Sequence, residues 1–103
     1  MSKTKNFQFL QDLVQDINSD ILFDNLCKNI KYYRLARYNE FKNSDSDNSI
    51  NPYSTENIAA LLDYNHNHYK RFESENDSTK KMPLEKIVKL SLILNVSIED
   101  LLK

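Results

Sequence analysis

The sequence predicts an all-α fold. Apolar residues recur three and four positions apart in one short stretch after another, strand-like alternation appears nowhere, and polar segments rich in Asn, Ser and Asp part the stretches. Five or six short helices follow from that pattern. At 103 residues the chain has the size of one domain with a modest core. It contains no glycine, the residue best suited to a positive φ, so Asn and Asp are expected to take such positions.

Phe7, Leu10, Leu13, Val14 and Ile17 predict an amphipathic helix over 6–17, which needs a surface to pack on. Asn18 and Ser19 break it. Asp20 is then expected to cap a second helix running to about Tyr38, with Leu22, Leu26, Ile30, Tyr33 and Arg37 along one stripe. Residues 43–53 read as a loop. Ser54 opens the next helix, with Glu56 in its first turn and Ile58, Leu61 and Leu62 on the buried face. Asp63-Tyr64-Asn65 interrupts the pattern, and Tyr69 and Phe72 restart it. Residues 74–81 are again a loop. Pro83 suits the first position of a helix whose Leu84, Ile87, Val88, Leu90, Ile93 and Leu94 are apolar nearly all round, which predicts a central place in the core. Asn95 ends it, and Ser97-Ile98-Glu99-Asp100 opens a last turn at Leu101 and Leu102 in the manner of a capping box.

Composition narrows the function classes. No apolar run approaches the roughly 18 residues that span a bilayer, and the polar residues among the N-terminal apolar positions argue against a secretory signal. A single cysteine, Cys27, excludes an internal disulfide and reads as a small apolar group of the core in a cytoplasmic protein. The formal net charge is −1, but its distribution is uneven: residues 21–42 carry five basic and two acidic groups, residues 43–63 four acidic and no basic ones. A polyanion would therefore lean on the first block and on Lys70, Arg71, Lys80 and Lys81.

Four pieces in order resemble the lambda-repressor-like (Cro/repressor, XRE-type) helix-turn-helix family over residues 26–102. "NIKYYR" at 29–34 is similar to its first-helix pattern. "STENIAALLDYN" at 54–65 resembles its second helix and turn, with Ala59 at the small position that lets two helices approach. "YKRFE" at 69–73 resembles the end of its recognition helix, and "PLEKIVKLSLILNVSIEDLL" at 83–102 its last two helices. The resemblance implies a five-helix domain over 21–103, with an extra N-terminal helix within 1–20 and an insertion loop at about 39–53. Between Arg34 and Ser54 lie 19 residues where the family has about five. Asp63 stands where the family's turn has Gly, and Thr55 where a phosphate-contacting Gln is common.

The stretch "DYNHNHYKRFE" at 63–73 holds the candidate site. On a helix from Asn65 to Glu73, Tyr69 and Phe72 face inward, Asn67, Lys70 and Arg71 outward, and His66 and His68 flank the outer face. The resemblance implies that this helix enters a DNA major groove, with His66, Asn67 and Arg71 reading bases and Ser54, Thr55, Asn65, Lys70, Lys80 and Lys81 contacting phosphates. The chemistry suits those roles, since Arg bridges guanine O6 and N7 and Asn bridges adenine N6 and N7. Arg34 and Glu73 are implied to form a partly buried pair that ties the first family helix to the end of the recognition helix. The plain alternatives are a solvated polar face and two unrelated surface charges.

Other constellations carry less. His66 and His68 point about 200° apart on a helix and cannot share one metal, and the contiguous letters His66-Asn67-His68 do not make a nuclease site. Asp45, Asp47, Ser49 and Glu56 match a calcium-loop spacing, but Ile50 and Pro52 occupy places that such a loop needs for its turn. No nucleophile, base and orienter cluster together. The expectation is a sequence-specific double-stranded DNA-binding regulator, a repressor of phage, plasmid or mobile-element type. It needs no metal or cofactor, is not an enzyme, and acts as a homodimer without a separate dimerisation domain beyond Lys103. Phe7, Leu10, Val14 and Ile17, or the C-terminal helix, would supply the interface, unless the first helix simply caps the core. The alternative expectation is a protein-binding module on the same scaffold, such as an antitoxin or antirepressor.

Overall fold

The computed structural model describes residues 6–44, 50–74 and 81–103. These form six helices and no strand: α1 (Phe7–Val14), α2 (Ser19–Lys42), α3 (Thr55–Leu61), α4 (His66–Glu73), α5 (Leu84–Leu94) and α6 (Ile98–Leu102). Asp45, Asp47 and Ser49 of the calcium-like spacing, most of the 74–81 loop, and Lys80 lie outside the described residues. Among the described residues no helix is long and apolar enough to cross a membrane.

The long α2 is the spine. Asn18, not Asp20, caps it, by accepting a hydrogen bond from the Ile21 amide at 3.0 Å, and Asp20 instead sits in the first turn near the positive end of the dipole. The helix also runs past Tyr38 to Lys42, so residues 39–42 of the expected insertion loop are helical. Leu26 and Ile30 are fully buried, and further along the same stripe Arg34 is buried too. The stripe therefore changes from apolar to charged without leaving the core.

Two asparagines of α2 hold α6. The Asn25 amide donates to the Leu102 carbonyl at 3.2 Å, and Asn29 Nδ2 lies 3.0 Å from the Leu101 carbonyl. They satisfy acceptors that a helix end leaves without partners. Arg37 does the same for α5 by donating from Nε to the Leu94 carbonyl at 2.8 Å, while its Nη1 reaches Glu40. The Ser97 hydroxyl caps α6 by accepting from the Asp100 amide at 3.0 Å.

The absence of glycine is met as expected. The described residues with positive φ are Asp63 at 59° and Asn95 at 55°, types that tolerate the left-handed region better than most. Asp63 closes α3: the Tyr64 amide reaches back to the Ala59 carbonyl at 2.8 Å and the Asp63 amide to Ala60 at 3.1 Å. That pair of bonds is a Schellman turn. Asn95 closes α5 likewise, with the Val96 amide on the Ser91 carbonyl at 3.0 Å.

The core gathers Leu26, Ile30, Ile58, Ala59, Leu62, Tyr69, Phe72, Met82, Ile87, Leu90, Leu94 and Leu101. Three expectations need correction. Leu61 is half exposed, because the tight turn after it directs Leu62 inward instead. The helix α5 is not central: Ile87, Leu90 and Leu94 are buried, but Leu84 and Leu92 are about three-quarters exposed and Val88 lies between them. It packs on α2 and α6 from one side only. Finally, α1 does not cap the core. It is shorter than expected, holds no buried residue, and packs against none of the other helices. The radius of gyration of 17.1 Å exceeds the roughly 13 Å of a compact chain of this length, in keeping with a helix that stands away.

Candidate nucleic-acid interface

The helix α4 is anchored from beneath. Tyr69 and Phe72, three residues apart, are buried at 0% and 1% exposure, while Asn67, His68, Lys70 and Arg71 are exposed. Phe72 stacks on Tyr64 and on His68 with ring centroids 5.4 Å apart in each case, and the Lys86 ammonium of α5 lies 5.3 Å from the Tyr64 ring centroid. His68 is thus a covering side chain at the edge of an aromatic group rather than a projecting one.

At its start α4 is capped by Asn65, whose side-chain Oδ1 accepts from the Asn67 amide at 2.8 Å. Ser54 caps α3 by accepting from the Asn57 amide at 3.2 Å, which leaves its hydroxyl proton for an outside acceptor. Thr55 and His66, each the first residue of its helix, share a hydrogen bond between Oγ1 and Nε2 at 2.8 Å. The expected base-reading and phosphate-binding roles of these two had assumed independent side chains. Here each occupies the other, and the pair fixes the starts of α3 and α4 side by side. Only the second ring nitrogen of His66 is left to face outward. Lys81 is exposed just before α5.

At the far end of α4, Arg34 and Glu73 form a bidentate pair, with Nε to Oε2 at 2.6 Å and Nη2 to Oε1 at 2.8 Å. The side chains are 9% and 8% exposed. Arg34 also donates from Nη1 to the Tyr53 carbonyl at 3.1 Å, and the Tyr69 hydroxyl donates to Glu73 Oε2. One guanidinium therefore ties α2, the approach to α3, and the end of α4 together, in the planar fork geometry that suits Arg and not Lys. Burial alone would lower the Arg34 pKa, but the hydrogen bonds and charge of Glu73 outweigh it and the net shift is upward. The approach to α3 is pinned again by Asn51, which donates to the Tyr38 carbonyl at 3.0 Å and accepts from the Tyr53 amide, while Asn57 donates to the Asn51 carbonyl at 2.8 Å.

Sequence reasoning placed Arg34, Glu73 and the anchoring rings. It missed the Tyr53 carbonyl, the Tyr69 hydroxyl and the Asn51 clamp. A buried Tyr needs a partner for its hydroxyl, and Tyr69 lies four residues before Glu73 on the same helical side, so that contact alone left a signal. Among the described residues no three His, Cys, Asp or Glu side chains gather as a metal site would need.

Burial, and then the neighbouring Glu73 carboxylate, push the Tyr69 phenol far above its ordinary pKa. Up to about pH 10 the phenol is neutral in both states. Above that the unfolded chain releases the proton and the folded chain keeps it, so stability falls as pH rises, by up to about 1.4 kcal/mol per pH unit. Urea titrations across that alkaline range should show a steeper fall in the native chain than in Tyr69→Phe. Equal slopes would mean that the phenol is not held neutral by the fold.

Comparison with protein-family models, with curated proteins and with solved structures finds no match to this chain.

Proposed function

We propose that the chain is a lambda-repressor-like helix-turn-helix protein that binds double-stranded DNA in a sequence-specific way and regulates transcription, as a repressor. In this reading α3 and α4 are the two helices of the motif and α4 is the recognition helix. One observation carries it above the rest: Asn67, Lys70 and Arg71 project from the outer side of a helix whose inner side is locked by two buried rings and a buried bidentate ion pair. A rigid support is what positional readout needs, because base edges are discriminated by hydrogen bonds of fixed direction. Asn67 and Arg71, one helical turn apart, take the base edges, with the outward nitrogen of His66 beside them. Lys70, Ser54 and the α4 start at Asn65 take phosphates, with Lys81 and Lys80 nearby. Thr55 acts through His66. The protein works in the cytoplasm as a homodimer, since two weak half-site contacts gain affinity together.

The uneven charge supports a second reading, in which the scaffold binds a protein partner and not DNA, because the net charge of −1 and the acidic 43–63 segment disfavour a polyanion. Salt separates the two. A regulator that neutralises several phosphates loses duplex affinity steeply as salt rises, and a protein-only binder shows no duplex affinity at any salt.

Footprinting on the DNA upstream of the chain's own gene supplies the duplex for the residue test. Arg71→Ala should weaken binding by about 1–3 kcal/mol and relax preference at one base position, whereas Lys70→Ala should weaken all sequences alike and lower the salt slope by about one. Both positions are exposed, so folding should change by no more than about 0.5 kcal/mol. Identical behaviour of the two variants on every duplex would overturn the division of roles.

A further inference from the structure

The helix α1 presents an apolar face that nothing among the described residues covers. On α1, Phe7 is 79% exposed and Leu13 62%, and Phe9, Leu10 and Val14 are each about half exposed, while Ile17, just past the end of the helix, is 59% exposed. At about 100° per residue Phe7, Phe9, Leu10, Leu13 and Val14 fill one side of α1, and Gln8, Gln11 and Asp12 fill the other. Together Phe7, Phe9, Leu10, Leu13, Val14 and Ile17 expose on the order of 600 Å², the size of the largest patch on a typical monomer, which is often functional.

A second observation makes the exposure harder to leave unexplained. An eight-residue helix that packs on nothing is marginal in water, because its nucleation is not offset by buried surface. Its formation calls for a partner. The chain's own α5 stripe does not serve, since α1 packs against none of the other helices.

We infer that the α1 face is the homodimer surface, and that a second copy of this chain presents its own α1 against it, with Phe7, Leu10, Leu13, Val14 and Ile17 at the two-fold axis. The face suits self-association. Asp12, the acid of α1, lies on the side away from the apolar centre, so two copies meet without opposing charge, and an isologous contact needs only one self-complementary patch. Covering most of it on both copies buries roughly 1,000 Å², about what a biological interface needs. A lipid surface fits less well, because interfacial helices carry Lys and Arg on their polar face, where this one carries Gln and Asp. The inference deepens the homodimer of the preceding reading and rests on that part of it alone.

Sedimentation of the full chain from nanomolar to hundreds of micromolar concentration tests it, with far-UV circular dichroism at each step. The native chain should pass from monomer to dimer and gain helix as it does. Leu10→Glu places a charge twice in the same small interface and should raise the dimer dissociation constant by at least about 100-fold. Leu10→Ile should remain dimeric, as should Leu92→Glu on the exposed α5 stripe. A native chain that stays monomeric throughout, a dimer broken by Leu92→Glu and not by Leu10→Glu, or a monomer that uses α1 to bind anionic phospholipid vesicles would each overturn the assignment. A dimer that binds no duplex keeps the surface and removes the DNA reading, and a monomeric native chain that binds a half-site does the reverse.

Discussion

Arg34→Met should lower the unfolding free energy by about 3–5 kcal/mol, the range for stripping one partner from a buried ion pair. Among the described residues Glu73 would then keep the Tyr69 hydroxyl alone for a carboxylate that is 8% exposed, and the Tyr53 carbonyl would lose its donor. For a domain with about 5–15 kcal/mol of total stability, that leaves a marginal protein. Most of the loss belongs to the stranded carboxylate and not to the pair as such, which gives a second arm. In Arg34→Met with Glu73→Leu the charge is gone from both sides, and much of the stability should return. Urea unfolding of both variants measures this. A single variant within about 0.5 kcal/mol of the native chain would show that Glu73 is reached by water and that the pair does not lock α4. Hydrogen exchange adds a local readout: the α4 amides should lose protection before those of the α2–α6 contact, because the pair is the tie at the far end of α4.

Where the chain speaks through nearby residues, its sequence is readable. Ser54, Ser97 and Asn65 announce helix starts because a capping side chain acts within three residues, and Asp63 and Asn95 announce stops because without glycine only such residues take a left-handed turn at modest cost. Arg34 and Glu73 are 39 positions apart, and no local pattern joins them; the resemblance did. Contacts with a backbone partner stayed hidden, since a carbonyl such as Tyr53 or Leu94 carries no letter of its own. Leu84, Val88 and Leu92 show the limit of apolar periodicity. It states which residues avoid water in principle, but an apolar stripe looks the same whether its cover is the same chain or another molecule. The α1 face failed as a core cap for that reason, and the same stripe now serves the inference about a second copy. At the candidate site the outward set of Asn67, Lys70 and Arg71 was legible from spacing, and the mutual capture of Thr55 and His66 was not, because it depends on how closely α3 and α4 approach at Ala59.

Phe72→Ala should cost about 3–5 kcal/mol, rivaling the loss of Arg34 by a different route. The ring is 1% exposed and touches Tyr64 and His68 at stacking distance, so its removal forfeits transfer energy and leaves a hollow under α4. Collapse of that hollow is resisted from two sides: Asp63 holds the turn before Tyr64 in a left-handed conformation, and Arg34 holds the other end of the helix at Glu73. Neither can move inward without breaking its own hydrogen bonds, which argues for the upper part of the range. Phe72→Leu keeps most of the volume and should cost clearly less, about 1–2 kcal/mol. Urea midpoints of the two variants, at an unchanged slope with denaturant, decide the matter. A cost for Phe72→Ala below about 1 kcal/mol would mean that α4 settles onto Tyr69 alone. Its outer face would then have no fixed direction, and the proposed reading of bases by Asn67 and Arg71 would lose its support.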